Sequence, residues 1–154
     1  MFTKKSIVHS LVAALSLAVS FGAVADTSPA LSAEITRSGG EVYFVSSPTH
    51  PVSGIQFDIK PVGRSLFSEA MLDGCVSGIP STHRGDCSLR GDGTIRVLVF
   101  SFENSELPSG LISRFPPSRF EIVAGSVVGA SPAAREVAVE VVQEPNDASA
   151  LRAR

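Results

Sequence analysis

The stretch that most constrains the fold is residues 95–102, the run IRVLVFSF, which directly follows an Asp-Gly-Thr turn signal. β-Branched and aromatic residues dominate this run, and it is too short and too β-prone for a helix. In a strand, Leu98, Phe100 and Phe102 would share the face opposite to the odd-numbered positions. Because both faces are then apolar, the run predicts a central strand of a packed sheet. Residues 103–110 are polar and end it at a Pro-Ser-Gly segment.

Alternation of apolar and polar residues recurs along the rest of the chain. It is clearest at residues 53–60, where Ile55, Phe57 and Ile59 would point into a core. The tripeptide Ser-Gly-Gly predicts a hairpin between the first two strands. Further strands are predicted at residues 31–37, 41–45, 110–115, 119–123, 126–130 and 135–142. About eight short strands separated by turns predict an all-β, antiparallel β-sandwich.

Two segments between these strands have other patterns. Residues 64–72, RSLFSEAML, predict one or two helical turns with Ser65 as the N-cap. The residues expected to pack beneath the sheet from these turns are Leu66, Phe67 and Ala70. Residues 73–90 contain Gly, Pro and Ser throughout and are predicted to form a loop.

The first 25 residues have the pattern of a signal peptide. Lys4 and Lys5 precede an apolar region at residues 11–24, which ends in the small-residue cleavage pattern Ala-Val-Ala. Cleavage there would leave a β-sandwich domain at residues 26–143, followed by a polar, flexible tail at residues 144–154. The location predicted from this pattern is secreted or periplasmic, because a signal peptide indicates only passage across the inner membrane.

The charge of the processed chain excludes one class of partner. Removal of the two lysines leaves 11 basic residues against 15 acidic ones, a net charge of about −4. A chain of this charge, without a basic stripe, is not expected to bind nucleic acid. After the signal peptide, no second apolar stretch is long enough to predict a membrane span.

The two cysteines, Cys75 and Cys87, are predicted to form a disulfide, as is usual for an even pair outside the cytosol. A loop of this length contributes about 3 kcal/mol to stability in the chain-entropy model. A metal or redox role is disfavoured because the pair lacks Cys-x-x-Cys spacing and nearby histidine ligands. His83 lies between the cysteines and is interpreted as a solvated loop side chain.

The chain lacks the common catalytic motifs. It has no G-x-S-x-G elbow, no H-E-x-x-H helix and no P-loop, so it is predicted not to be an enzyme. The tripeptide Arg-Gly-Asp at residues 84–86 is interpreted as a polar turn. Oxygen ligands for a weak Ca²⁺ site would come from Asp58, Asp73, Asp86, Asp92 and Asn104. Their spacing does not match an EF-hand, so no cofactor is predicted and Ca²⁺ remains an open alternative.

Candidate binding residues lie on the outward faces of two strands. The alternation places Gln56, Asp58 and Lys60 on one strand and Arg96 on the central strand, all facing solvent or a partner. Glycan recognition commonly uses exposed aromatic platforms, but this chain has no Trp and a single Tyr, Tyr43. The composition therefore favours a protein partner over a polysaccharide.

The order of three motifs resembles the cohesin-like modules of exported bacterial proteins. These motifs are GIQFDIKP at residues 54–61, DGTIRVLVFSFENSELPSG at residues 92–110, and a strand that ends in an Ala-Gly turn at residues 124–125. The resemblance covers residues 31–142. It implies a jelly-roll β-sandwich related to some carbohydrate-binding modules, and it implies a protein partner, with a dockerin-like module as one possibility.

Together these observations predict an exported, non-catalytic binding module that mediates protein–protein interaction outside the cytoplasm. The alternative is a carbohydrate-binding module acting on envelope or extracellular polysaccharide. A third interpretation, a matrix protein, requires self-association through an edge strand such as Glu41–Val45.

Overall fold

The computed structural model describes residues 32–116 and 119–143. The predicted signal peptide at residues 1–25 and the predicted tail at residues 144–154 lie outside the described residues. The strands, in chain order, are β1 (Ala33–Ser38), β2 (Glu41–Val45), β3 (Gly54–Pro61), β4 (Arg84–Leu89), β5 (Ile95–Phe100), β6 (Gly110–Arg114), β7 (Phe120–Ile122), β8 (Val128–Ala130), β9 (Glu136–Val137) and β10 (Val139–Gln143).

The strands form two sheets, which confirms the all-β, sandwich-like prediction. The four-stranded sheet has the order β10-β1-β2-β6. The six-stranded sheet has the order β4-β5-β3-β8-β9, and β7 also pairs with β3. The described part of the chain contains ten strands rather than about eight. The difference arises because one predicted loop contains a strand and because the last predicted strand is divided into β9 and β10, which belong to different sheets.

The core forms where the inward residues of the two sheets meet. Ile35 and Phe44 come from the four-stranded sheet, and Phe57 and Val97 come from the six-stranded sheet; all four are essentially fully buried. Strands β1, β2, β3 and β5 bury every second residue, as their alternating sequences predict. The ring of Phe120 packs edge-on against Phe115 with the ring centres 5.4 Å apart.

Strand β5 is central within its sheet, but the prediction that both of its faces are packed is wrong. Its odd-numbered residues are buried, whereas Leu98 is 37 % exposed and Phe102, beyond the strand, is 79 % exposed. The physical reason is that the described chain has no third layer over this sheet: β5 packs on the core through one face only.

The segment between β3 and β5 differs most from its prediction. Residues 73–90 are not entirely loop, because they contain strand β4, and the Arg-Gly-Asp tripeptide lies on that strand rather than in a turn. The helix predicted at residues 64–72 is a single 3₁₀ turn, Glu69–Met71, which is preceded by Ser68 and not by Ser65. Leu66 is 83 % exposed and Ala70 is also exposed, whereas Phe67 packs against the core.

Two predictions about strand arrangement are wrong. Strand β2 is not an edge strand, because it pairs with β1 on one side and with β6 on the other. The matrix interpretation therefore loses the edge on which it was based. The sandwich is also not wholly antiparallel, since β1 and β10 run parallel from Ala33↔Val139 to Arg37↔Gln143.

Side chains close the sandwich where β10 meets the other sheet. The Gln143 amide nitrogen donates to the Ile122 carbonyl, and the Ile122 N–H donates to the Gln143 amide oxygen, both at 3.0 Å. This reciprocal pair joins the last strand of the four-stranded sheet to β7 of the six-stranded sheet. The two sheets are therefore linked by hydrogen bonds as well as by the core.

Candidate binding face of the six-stranded sheet

Strands β3 and β5 place three of the four predicted binding residues side by side. Both strands turn alternate residues to solvent, and their antiparallel register sets Asp58 opposite Arg96 and Gln56 opposite Leu98. Lys60 lies further along β3, opposite Glu121 of β7. Gln56, Asp58, Lys60 and Arg96 thus share the outer face of the six-stranded sheet, as expected from their alternation.

Asp58 and Arg96 form a two-pronged ion pair across the strands. Arg96 Nε donates to Asp58 Oδ1 at 2.7 Å, and Arg96 Nη2 donates to Asp58 Oδ2 at 2.9 Å. The hydrogen bond that Arg96 donates to the Asp58 carboxylate raises the pKa of the Arg96 guanidinium above its ordinary value. Because both carboxylate oxygens are engaged, the pair presents a fixed, nearly neutral polar feature rather than two independent charges.

Lys60 is also paired. Its ammonium lies 2.6 Å from a Glu121 carboxylate oxygen, in a partly exposed position where solvent screens the attraction. Pairs of this kind contribute little to stability. Of the four predicted residues, three are therefore occupied within the sheet, and recognition by the face depends on what surrounds them.

Exposed apolar side chains lie on one side of the Asp58–Arg96 pair, towards the beginning of β3 and the end of β5. Leu98 and Val128 lie on either side of Gln56 in one row across the sheet, and they are 37 % and 42 % exposed. At the end of β5, the Phe102 ring stands nearly perpendicular to the Phe100 ring, with the centres 4.9 Å apart. We refer to Leu98, Phe100, Phe102 and Val128 as the apolar patch.

The apolar patch was not predicted from the sequence, because Leu98, Phe100 and Phe102 were expected on a packed face of the central strand and Val128 was assigned only to a short strand. A signal was present: residues 95–100 alternate between aliphatic residues on one face and Arg, Leu and Phe on the other. The polar Arg96 marks the outward face, and Leu98 and Phe100 share that face with it. Alternation along β5 therefore predicts that Leu98 and Phe100 face outward with Arg96.

The loops at the end of this face enclose His83, which corrects its interpretation as a solvated side chain. His83 is 1 % exposed. Its Nδ1 lies 3.0 Å from the Thr82 hydroxyl, and its Nε2 has no hydrogen-bond partner in the described structure. Burial lowers the pKa of His83, while the neighbouring backbone groups of Ser105 and Ser53 oppose that shift. Ser105 belongs to the loop that carries Phe102.

The disulfide Cys75–Cys87 is present, as predicted, with 6.5 Å between the two Cα atoms. It joins the segment after the 3₁₀ turn to strand β4. Disulfides of this kind are typical of oxidising compartments. In the described ranges, no helix is both long and apolar enough to cross a membrane.

Of the five candidate Ca²⁺ ligands, Asp73 and Asp86 belong to two segments that line one open cavity, and the other three have separate environments. Asp58 is held by Arg96, and the Asp92 carboxylate accepts hydrogen bonds from the Thr94 N–H and hydroxyl at 3.0 and 2.6 Å, which lower the Asp92 pKa. Asn104 has a left-handed backbone, with φ of 54°. Among residues 32–116 and 119–143, no group of three or more His, Cys, Asp or Glu side chains is placed to hold a metal ion.

No protein-family model matches the chain, and no curated protein matches it. A function is therefore proposed from the geometry of this face.

Proposed function

We propose that this chain is an exported, non-catalytic binding module with a cohesin-like jelly-roll fold, and that it binds a protein partner outside the cytoplasm. The partner docks on the outer face of the six-stranded sheet. The observation that carries the proposal is the apolar patch, which adjoins the fixed Asp58–Arg96 pair. An exposed apolar surface that is bordered by polar groups is typical of a protein interaction site.

The polar pair contributes specificity rather than affinity. Asp58 and Arg96 already satisfy each other, so a partner gains little by adding a charge there. A partner that buries Leu98 and Val128 must, however, match the shape and hydrogen-bonding groups of the intervening Gln56. Affinity is therefore assigned to the apolar side chains, and orientation to Gln56 and the ion pair.

The test compares matched surface substitutions on the two sheets. The chain from residue 26, in oxidised form, is immobilised and exposed to the exported fraction of the producing cells, and bound proteins are quantified by mass spectrometry. Leu98→Asp is expected to reduce recovery of a specific partner by about tenfold or more, the effect of a central interface residue. Val45→Asp is the control, because Val45 is 43 % exposed on the outer face of the other sheet.

The recovered partner is then titrated against purified wild-type and variant proteins by calorimetry. Circular dichroism of each variant checks that its fold is intact. Equal loss of binding in Leu98→Asp and Val45→Asp, or no loss in either, would contradict docking on this face.

A carbohydrate-binding function is the second candidate, and Phe102 is the observation that favours it. Its ring is 79 % exposed and is braced edge-on by Phe100, as an aromatic platform for a sugar ring would be. On this alternative, Phe102→Ala abolishes retention in affinity electrophoresis through polysaccharide gels, whereas Val128→Asp leaves it unchanged. A protein partner instead requires both residues.

A further inference from the structure

Strand β4 forms one edge of the six-stranded sheet, because it pairs with β5 alone. The Arg90 N–H donates to the Thr94 carbonyl at 2.8 Å, at the end of the ladder between these two strands. In an antiparallel ladder, every second residue bonds to the neighbouring strand and the residues between them do not. Counted back from Arg90, the residues whose N–H and carbonyl groups point away from β5 are Gly85, Cys87 and Leu89.

This edge is uncovered in the described part of the chain. No backbone group of residues 32–116 or 119–143 bonds to the outward groups of β4, and an open cavity of about 380 Å³ lies between residues 72–76 and the strand. The edge of β6 is different, because the Arg114 N–H donates to the Cys75 carbonyl at 2.9 Å and covers it. Strand β4 also contains no proline and no bulge. An uncovered, regular edge is a template for another strand.

The outward side chains of β4 and its turn have a charge order that is complementary to its own reverse. Residues 84–92 read RGDCSLRGD, so the Arg-Gly-Asp tripeptide occurs twice. Every second residue of this stretch is exposed, in the order positive, negative, neutral, positive, negative. These residues are Arg84, Asp86, Ser88, Arg90 and Asp92. A second copy that runs antiparallel and is centred on Ser88 therefore sets opposite charges against each other.

The neighbouring registers lack this complementarity. With the centre at Ser88, Asp86 of each copy lies opposite Arg90 of the other. With the centre moved to residue 87, Arg84 would lie opposite Arg90, and with the centre at residue 89, Asp86 would lie opposite Asp92. Like charges directly opposite each other on one face of a sheet are destabilising. The charges thus select one register for pairing between two copies.

Asp86 and Arg90 are available for contacts between copies. Neither side chain has a salt bridge or a hydrogen bond among the described residues. In this respect they differ from Asp58 and Arg96, which are engaged with each other. Charged side chains on an edge discourage pairing with unrelated strands. On β4 they are placed so that a second copy of the same strand is not discouraged.

We propose that a second copy of this chain docks on β4, antiparallel and centred on Ser88, so that two six-stranded sheets join into one continuous sheet. The main-chain hydrogen bonds join Cys87 of each copy to Leu89 of the other. The ion pairs join Asp86 of each copy to Arg90 of the other, which makes the interface isologous and two-fold symmetric. The outer faces of the two sheets, with their apolar patches, then point to the same side.

The energetics predict a weak dimer with a defined register. The ladder spans only residues 86–90 of each copy, which is a small interface. The main-chain hydrogen bonds supply the attraction, whereas exposed ion pairs contribute little to it. The ion pairs act mainly through the cost of replacing them by like charges. We expect wild-type protein to form a dimer with a Kd below about 1 mM at low salt.

A charge exchange tests the register. Oxidised protein from residue 26 is examined by sedimentation velocity over a range of concentrations. Asp86→Arg and Arg90→Asp each place like charges opposite each other at two symmetric positions, so each variant alone is expected to dimerise about tenfold more weakly or worse. An equimolar mixture of the two variants restores opposite charges and is expected to form a heterodimer about as readily as wild type forms its dimer. Circular dichroism checks that each variant is folded.

A second pair of variants tests the main-chain hydrogen bonds. The Leu89 N–H points away from β5, so Leu89→Pro removes a donor that the sheet of its own copy does not use. Leu89→Pro is expected to abolish dimerisation. Leu89→Ala is the matched control, because it removes the side chain and keeps the N–H, and it is expected to dimerise. In wild type, amide exchange of Cys87 and Leu89 should slow as protein concentration rises, whereas that of Ser88, which bonds to β5, should not change.

Several results would overturn the proposal. Wild-type protein that stays monomeric up to about 1 mM would exclude the dimer. Normal dimerisation of Arg90→Asp alone, or a mixture of the charge variants that stays monomeric, would exclude this register. A dimer that is lost in Phe102→Ala but kept in both charge variants would place the contact at the apolar patch and not at β4.

Discussion

At the scale of single residues, His83 makes the stability of the domain depend on pH. Its ring is buried and its pKa is lowered by burial. Below the ordinary histidine pKa of about 6.5, the unfolded chain binds a proton that the folded chain does not bind. The free energy of unfolding is therefore greatest above about pH 6.5 and falls as the pH decreases towards the lowered pKa of the folded state.

We expect wild-type protein to lose stability between pH 7.5 and pH 5.5, with a slope of up to about 1.4 kcal/mol per pH unit from this one group. His83→Gln removes the group and should flatten the profile in that range. His50→Gln is the control, because His50 is exposed. Urea unfolding at several pH values gives the measurement, and parallel profiles for wild type and His83→Gln would contradict the assignment.

The burial of His83 shows why this residue could not be interpreted from its neighbours in sequence. The residues around it, Ser53 and Ser105, are distant in sequence and are brought to it by the ends of β3 and β5. Local composition around His83 is polar, which is typical of a loop. His83 is buried because segments that are distant in sequence pack around it, and the sequence pattern near His83 does not predict this packing.

At the scale of elements, strand β3 organises the six-stranded sheet by pairing with two short strands on one side. Strand β8 pairs with its beginning and β7 with its end. Between them the chain makes a 3₁₀ turn, Ala124–Ser126, which interrupts the ladder. Ser126 fills the gap, because its hydroxyl accepts from the Asp58 N–H at 2.8 Å and donates to the Val123 carbonyl at 2.6 Å.

We expect Ser126→Ala to destabilise the domain by about 1 kcal/mol, because the Asp58 N–H loses its acceptor. The same N–H should exchange faster in the variant. Ser88→Ala on the outward face of β4 is the control and should be close to neutral. Equal stabilities for the two variants, measured by urea unfolding, would contradict the role of Ser126 as a substitute for a ladder bond.

The same sheet shows which elements a sequence specifies by itself. Strand β3 was predictable because Ile55, Phe57 and Ile59 alternate with polar residues. Strand β4, RGDCSL, was not predictable, because it is an edge strand with mostly polar side chains. It is a strand because it pairs with β5. The outward position of Asp58 and Arg96 was predictable from alternation, whereas their mutual ion pair depends on that register.

At the scale of the whole molecule, the order and direction of the strands depend on pairing between segments that are distant in sequence. Alternation of apolar and polar residues does not predict that pairing. The strand pattern indicates two sheets but does not state their order, so β2 was expected at an edge and lies inside its sheet. The parallel pair β1–β10 joins segments more than 100 residues apart in the numbering. Such pairings are chosen by the packing of the complete core.

That parallel pair also determines how the domain would respond to mechanical force. Tension applied at residues 32 and 143 pulls β1 and β10 lengthwise in opposite directions, because the chain enters at the start of one strand and leaves at the end of its parallel neighbour. The hydrogen bonds between them are loaded in shear and must yield together rather than one at a time. In single-molecule pulling, we expect this direction to require a higher unfolding force than pulling the β4–β5 hairpin apart from residues 84 and 100. If residues 32 and 143 were pulled apart by molecules attached on either side, the domain would therefore resist unfolding.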